Sequence, residues 1–144
     1  MTNIHASEAQ PEDELRRSAE SIVSALQESW NARDAQRWGE SFAEKHDYVA
    51  VGGMLLSDLT PQQNAMGHTA LWNGRFREGS RIALALVSVA QLAPNVAIAL
   101  VSNRNDYVDG GQVKNHTSVI SLVLVTETAG WRIRQFNNNL QASP

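Results

Sequence analysis

Between residues 81 and 140 the chain holds four long β-patterned runs parted only by short turns, and this block limits the possible folds more than any other feature. The runs cover residues 81–92, 96–107, 113–126 and 131–140. Ala93-Pro94-Asn95, Asp109-Gly110-Gly111 and Ala129-Gly130 supply the breaks, each with residues that suit tight turns. The first two runs are largely apolar on both faces, which predicts a sheet covered on both faces, by helices on one side and by a second subunit on the other. Connections this short make consecutive strands antiparallel neighbours.

The preceding half reads differently. Leu15, Ala19, Ile22, Val23, Leu26 and Trp30 recur at steps of three and four, one face of an amphipathic helix. Pro11 and the acidic Glu12, Asp13 and Glu14 suit its start, and it ends near Asn31. Asp34 is placed to cap a second, shorter helix carrying Ala35, Trp38 and Phe42 inward. Residues 46–51 then read as a strand turning at Gly52-Gly53 into a short return. Thr60-Pro61-Gln62-Gln63 has the capping-box spacing that opens a third helix, expected to reach about Trp72 before Asn73-Gly74 stops it. Helices interleaved with one hairpin, followed by consecutive strands, predict an α+β domain without repeats or linkers.

The chain has 144 residues, of which 42% are hydrophobic, enough for one domain with a sizeable core. That domain is expected to span residues 11–140, between an N-terminal tail of residues 1–10 and a C-terminal tail of residues 141–144. A net charge of -3 without a basic stripe argues against a nucleic-acid partner. Without cysteine there is no disulfide framework, thiolate metal site or cysteine nucleophile. The polar, acidic start lacks the pattern of a secretory signal, and no apolar run approaches a membrane span. A cytoplasmic protein is the expectation. The histidines at 5, 46, 68 and 116 include no helical pair at metal-ligand spacing, and glycine-rich phosphate loops and nucleophile elbows are absent. Neither metal nor cofactor is expected.

Three segments taken together, WNARDAQRWGESFAEKHDYVAVGG, HTALWNGRFREGSRIALALVSVAQLAPNVAIALV and SLVLVTETAGWRIRQFNNN, resemble the nuclear transport factor 2-like superfamily. Within it they are most similar to the SgcJ/EcaC-type branch, which has SnoaL-like relatives. The likeness extends over residues 21–139. It implies a cone-shaped α+β barrel, with a strongly curved, mixed and mostly antiparallel sheet wrapped around about three N-terminal helices, and commonly a homodimer through the sheet. It also implies a cavity for a small hydrophobic ligand. The superfamily includes isomerases, cyclases and hydrolases as well as domains that only bind or dimerise. A catalytic aspartate of its ketosteroid isomerases would fall near Ala50 or Val51, where this chain has no carboxylate.

His68 matches a histidine that recurs in the resembling branch, and imidazole titrates in the range a general acid or base needs. The alternative is that it bonds a neighbouring loop. Asp47 matches the strand opening of the superfamily and is the second catalytic candidate. His46, Asp47 and Tyr48 are adjacent on a strand, so they cannot all converge. Trp30, Tyr48, Trp72, Asn103, His116 and Asn137 are the candidate ligand-binding residues, aromatic walls with polar groups that need partners. Where Asn137-Asn138-Asn139 stand, the resembling branch often has His-Asn-Thr, and amides cannot carry protons as histidine does. Strand alternation sets Asn137 and Asn139 with Gln135, Ile133 and Trp131, and Asn138 with Phe136 and Leu140. Two functions fit these residues. One is a tailoring enzyme acting on a hydrophobic, polyketide-like molecule by pocket acid-base catalysis. The other is a non-catalytic ligand-binding or dimerisation module.

Overall fold

A computed structural model describes residues 12–141, so the expected tail of residues 1–10 lies outside the described residues. Helix α1, Glu12–Ala32, buries the predicted stripe of Leu15, Ala19, Ile22, Val23, Leu26 and Trp30. It ends in a Schellman motif: the Asp34 amide donates to Ser29 and the Arg33 amide to Trp30, with Arg33 in the left-handed region at φ 54°. A side chain there costs about 1–2 kcal/mol. The Arg33 guanidinium offsets this by donating to the carbonyls of Trp72 and Phe76, which ties the end of α1 to that of the third helix.

Helix α2, Ala35–Gly39, is a single turn capped by Asp34, whose carboxylate accepts from the Arg37 amide. It is shorter than the sequence suggested. Phe42 belongs to strand β1, Phe42–Val49, which begins four residues ahead of the expected start at His46. The Gly52-Gly53 turn leads to β2, Leu55–Leu59. Helix α3, Pro61–Asn73, has both arms of the capping box: the Gln63 amide donates to Thr60 Oγ1 at 3.2 Å, and the Thr60 amide to Gln63 Oε1 at 2.9 Å. Four long strands follow as expected: β3, Ser80–Ala93; β4, Val96–Asp109; β5, Gln112–Glu127; β6, Gly130–Leu140.

The six strands form one sheet in the order β2-β1-β6-β5-β4-β3, antiparallel throughout except where β1 runs parallel to β6. Bulges in β3 and β6 break the ladder and let the sheet curl around the helices into the cone. Ala97, Ala99 and Val101 of β4 face inward with Ile120, Leu122 and Leu124 of β5, in one core with the buried stripe of α1. None of the described residues covers the opposite face, and Ile98 and Leu100 are each 42% exposed there. Helix α1 also guards the edge of the sheet. Asn31 exchanges two hydrogen bonds with the backbone of Ile82, and Gln27 accepts from the Leu84 amide, so two side chains stand in for a neighbouring strand. No described helix is long and apolar enough to cross a membrane.

Gly39 is where α2 meets the start of α3, and a Cβ built there would lie 2.7 Å from the Pro61 carbonyl oxygen. Alanine normally exceeds glycine by about 1 kcal/mol inside a helix. Here the clash reverses the sign, so Gly39→Ala is expected to lower the unfolding free energy by about 1–3 kcal/mol in urea titration. An unchanged or raised stability would show that the two helices can separate without cost.

Candidate functional site

Asn64, His68 and Trp72 follow one another at four-residue intervals on α3, so all three point into the cone, and all three are buried. Asn64 joins them to the rest of the interior. Its Oδ1 accepts from Trp38 Nε1 at 3.1 Å, and its Nδ2 donates to His46 Nε2 at 2.9 Å. Its main-chain carbonyl accepts from His68 Nδ1 at 3.0 Å. These partners settle the tautomers. His46 Nδ1 faces the Ala43 carbonyl at 2.9 Å and must carry a proton, which leaves its Nε2 to accept. By the same reasoning His68 Nε2 accepts from the Tyr48 hydroxyl at 3.1 Å.

Aromatic rings enclose this network. Trp38 lies over His68 with ring centroids 4.5 Å apart, Trp30 and Trp72 meet the imidazole edge-on, and Tyr48 stacks on Phe136 at 4.4 Å. Burial therefore dominates the titration. It pushes His68 down to about 4, a shift the Asn64 carbonyl opposes and His46 reinforces. Burial also lowers His46 and raises the Tyr48 phenol. At neutral pH both imidazoles are uncharged, and both their nitrogens are already bonded.

The structure brings four of the candidate residues together: His68, Tyr48, Trp30 and Trp72. Asp47 is not among them. It lies on the outer face of β1, where it accepts from the Asp58 amide and from Arg134, and these bonds hold its carboxyl below the usual range. Adjacent strand residues point to opposite faces, so a shared catalytic role with His68 is excluded by geometry. Asn137 is also outside: it pairs with Ser121 and bonds Asn139, while its neighbour Asn138 pairs with Ile120 on the inner face. The reason is the bulge in β6. Gln135 pairs with Val123 and Ile133 with Leu124, so Arg134 is an extra residue that resets the alternation. Ile133 thus shares a face with Phe136 and Asn138, not with Asn137.

Asn103 and His116 both lie on the inner face without pairing to each other. Asn103 donates to Ser118, and His116 stands opposite Asn105, beside Tyr107 near the β4–β5 turn. Among the described residues, three buried side-chain polar atoms have no partner: Trp72 Nε1, Asn103 Oδ1 and Asn138 Oδ1. A surface groove of about 470 Å³ lies between Gln27, Asn31, Ser80 and Ile82 on one side and Tyr107 and Val108 on the other. Among the described residues no group of three or more His, Asp or Glu is placed to hold a metal ion. Asn64 and Trp38 are the residues that sequence reasoning missed as part of this network. The signal for Asn64 was a polar side chain on the helix face that also carries His68 and Trp72.

Because folding lowers the histidine pKa, the unfolded chain takes up protons below its value of 6.5 that folded His68 refuses until about 4. The stabilising contribution is complete above pH 6.5 and is lost as the pH falls through that window towards 4. At about 1.4 kcal/mol per pH unit, His68 alone accounts for a loss of order 3 kcal/mol, and His46 acts in the same direction. Urea midpoints at pH 7.5 and pH 4.5 check this, and equal midpoints would show that the imidazoles are not sealed from protons.

No protein-family model matches the chain, and no curated protein matches it. Solved structures do. An uncharacterised protein with a cystatin-like fold from Caulobacter vibrioides superposes with a TM-score of 0.76 at 23% identity, over 90% of this chain and 91% of that one. A domain of unknown function with a cystatin-like fold from Nostoc punctiforme gives 0.76 at 20% identity, over 91% of this chain and 78% of the other. An NTF2-like protein with a cystatin-like fold from Novosphingobium aromaticivorans gives 0.73 at 20% identity, over 91% and 84%. At these identities the likeness is one of fold, and the fold of this chain is the α+β fold of nuclear transport factor 2-like, cystatin-like proteins.

Proposed function

We propose that the chain is a small-molecule-binding protein of the SgcJ/EcaC-type, SnoaL-related kind, a cofactor-independent and cytoplasmic homodimer whose ligand is hydrophobic and polyketide-like. Of the two functions its sequence fits, the non-catalytic binding module has the better support. The observation that carries this reading is the pair of buried, unpartnered polar atoms Trp72 Nε1 and Asn103 Oδ1, one a donor on α3 and the other an acceptor on the inner face of β4. Each unsatisfied group costs about 1–3 kcal/mol, which a ligand with complementary groups would remove. Trp30, Tyr48 and Trp72 are its aromatic walls, and Asn103 and His116 its polar contacts. Asn138 takes the place that alternation assigned to Asn137. Against catalysis stand the two committed nitrogens of His68, its low pKa, and Asp47 on the opposite face. The enzyme reading keeps one support, the Tyr48–His68 hydrogen bond inside an apolar site.

A native mass spectrum of protein purified from its own cells is expected to carry a bound small molecule, which Trp72→Phe loses and the outer-face variant Asp47→Asn keeps. Conversion of that molecule by the wild type, abolished in Tyr48→Phe, would decide for the enzyme.

Ile98 and Leu100 of β4 lie on the open outer face, Ile98 flanked by Ala90 and Val123 and Leu100 by Ser88 and Ser121, and a second copy would cover their exposed side chains. Sedimentation of the wild type is expected to give a dimer and that of Leu100→Glu a folded monomer. A monomeric wild type would remove the dimer from the proposal.

A further inference from the structure

We propose that Arg75, Tyr107 and His116 form an anion-recognising rim on the same inner site, and that its ligand is a small, ring-bearing carboxylic acid with a hydroxyl at its far end. The inference rests on the binding reading above and adds the chemical class of the ligand. The three side chains come from the segment after α3, from β4 and from β5. The Tyr107 ring is 5.6 Å from both Phe76 and His116, and the Arg75 guanidinium lies 5.5 Å over Phe76 and 5.7 Å over Tyr107.

Arg75 has no acidic partner among the described residues. Arg16, Arg37, Arg104 and Arg134 each have one. The nearby carboxylates are committed elsewhere. Glu78 accepts from the amides of Gly110 and Gly111, Asp109 pairs with Lys114, and Asp106 pairs with Arg104. A cation resting on two rings is partly stripped of water, and a carboxylate offers it charge-assisted hydrogen bonds that water does not match. His116, lowered by burial and by Arg75, is neutral here and has an N–H to donate to the same anion.

The inner face runs from this rim towards the unpartnered atoms. His116 pairs with Asn105, and two residues further Ser118 pairs with Asn103, whose Oδ1 needs a donor. Two residues of strand rise span about 7 Å, the length of one six-membered ring carrying groups at opposite ends. A hydroxyl at that far end donates, as Asn103 Oδ1 requires.

The test compares 4-hydroxybenzoate with the neutral 4-hydroxybenzyl alcohol by calorimetric titration of the full chain. The acid is expected to bind about tenfold or more tightly than the alcohol. Arg75→Gln is expected to erase that preference while leaving the affinity for the alcohol and the urea midpoint unchanged, since Arg75 is exposed. Equal binding of the two probes, or a preference that survives in Arg75→Gln, overturns the carboxylate rim and leaves the inner site standing. Failure of both probes also overturns the rim. The inner site falls with it only if the native mass spectrum of the wild type shows no bound molecule.

Discussion

Asn64 is the point on which the interior depends. Its amide oxygen, amide nitrogen and main-chain carbonyl hold Trp38, His46 and His68, and so join α2, α3 and β1 in one hydrogen-bonded unit. Each of these groups would be costly if buried alone, and each is satisfied only because the others are present. A shorter or apolar residue at position 64 would leave an indole N–H and an imidazole nitrogen without partners together. The network also sets the chemistry, because it fixes both histidines as neutral tautomers and leaves no proton carrier free among them.

Around that unit the two layers meet in different ways. Toward β1 and β6 the contact is aromatic, with Tyr48 stacked on Phe136 and Trp38 over His68. Toward β4 and β5 the inner surface turns polar, with Asn103, Asn105 and Ser118 all buried. Asn105 Oδ1 accepts from Ser80, which accepts from Trp30, whereas Asn103 Oδ1 has no partner. The same fold that satisfies Asn64 leaves Trp72 Nε1 on α3 and Asn103 Oδ1 and Asn138 Oδ1 on the inner face of the sheet without partners. This contrast separates a structural polar network from a candidate binding site.

Much of this architecture was readable in advance. The heptad-like stripe of α1, the Thr60–Gln63 capping box, the Asp34 cap and the glycine turns are local signals, and each acts within a few residues of itself. The inward placement of Trp30 was also read from the helical spacing, whereas the full burial of His68 and Tyr48 was not. Phe42 was misjudged because a single helical turn and the start of a strand both place an aromatic inward. Asn137 was misjudged because period-two alternation assumes an unbroken ladder, and the Arg134 bulge shifts the phase by one residue. The apolar runs led to the expectation of helices on one sheet face and a second subunit on the other, and the described helices do occupy one face only.

The sequence by itself determined the order of elements, the extents of the four long strands and the ends of α1 and α3, since propensity, capping and turn chemistry are decided by neighbours along the chain. Tertiary structure alone decided which polar groups meet. That Asn64 bridges Trp38 and His46, that Asp47 turns away to Arg134, and that Arg75 is left over Tyr107 without a carboxylate depend on residues far apart in sequence. The physical reason is that a hydrogen bond needs a partner within about 3 Å at a suitable angle. Such proximity follows from the parallel pairing of β1 with β6 and the bulge that resets it, and no periodicity in the sequence encodes either.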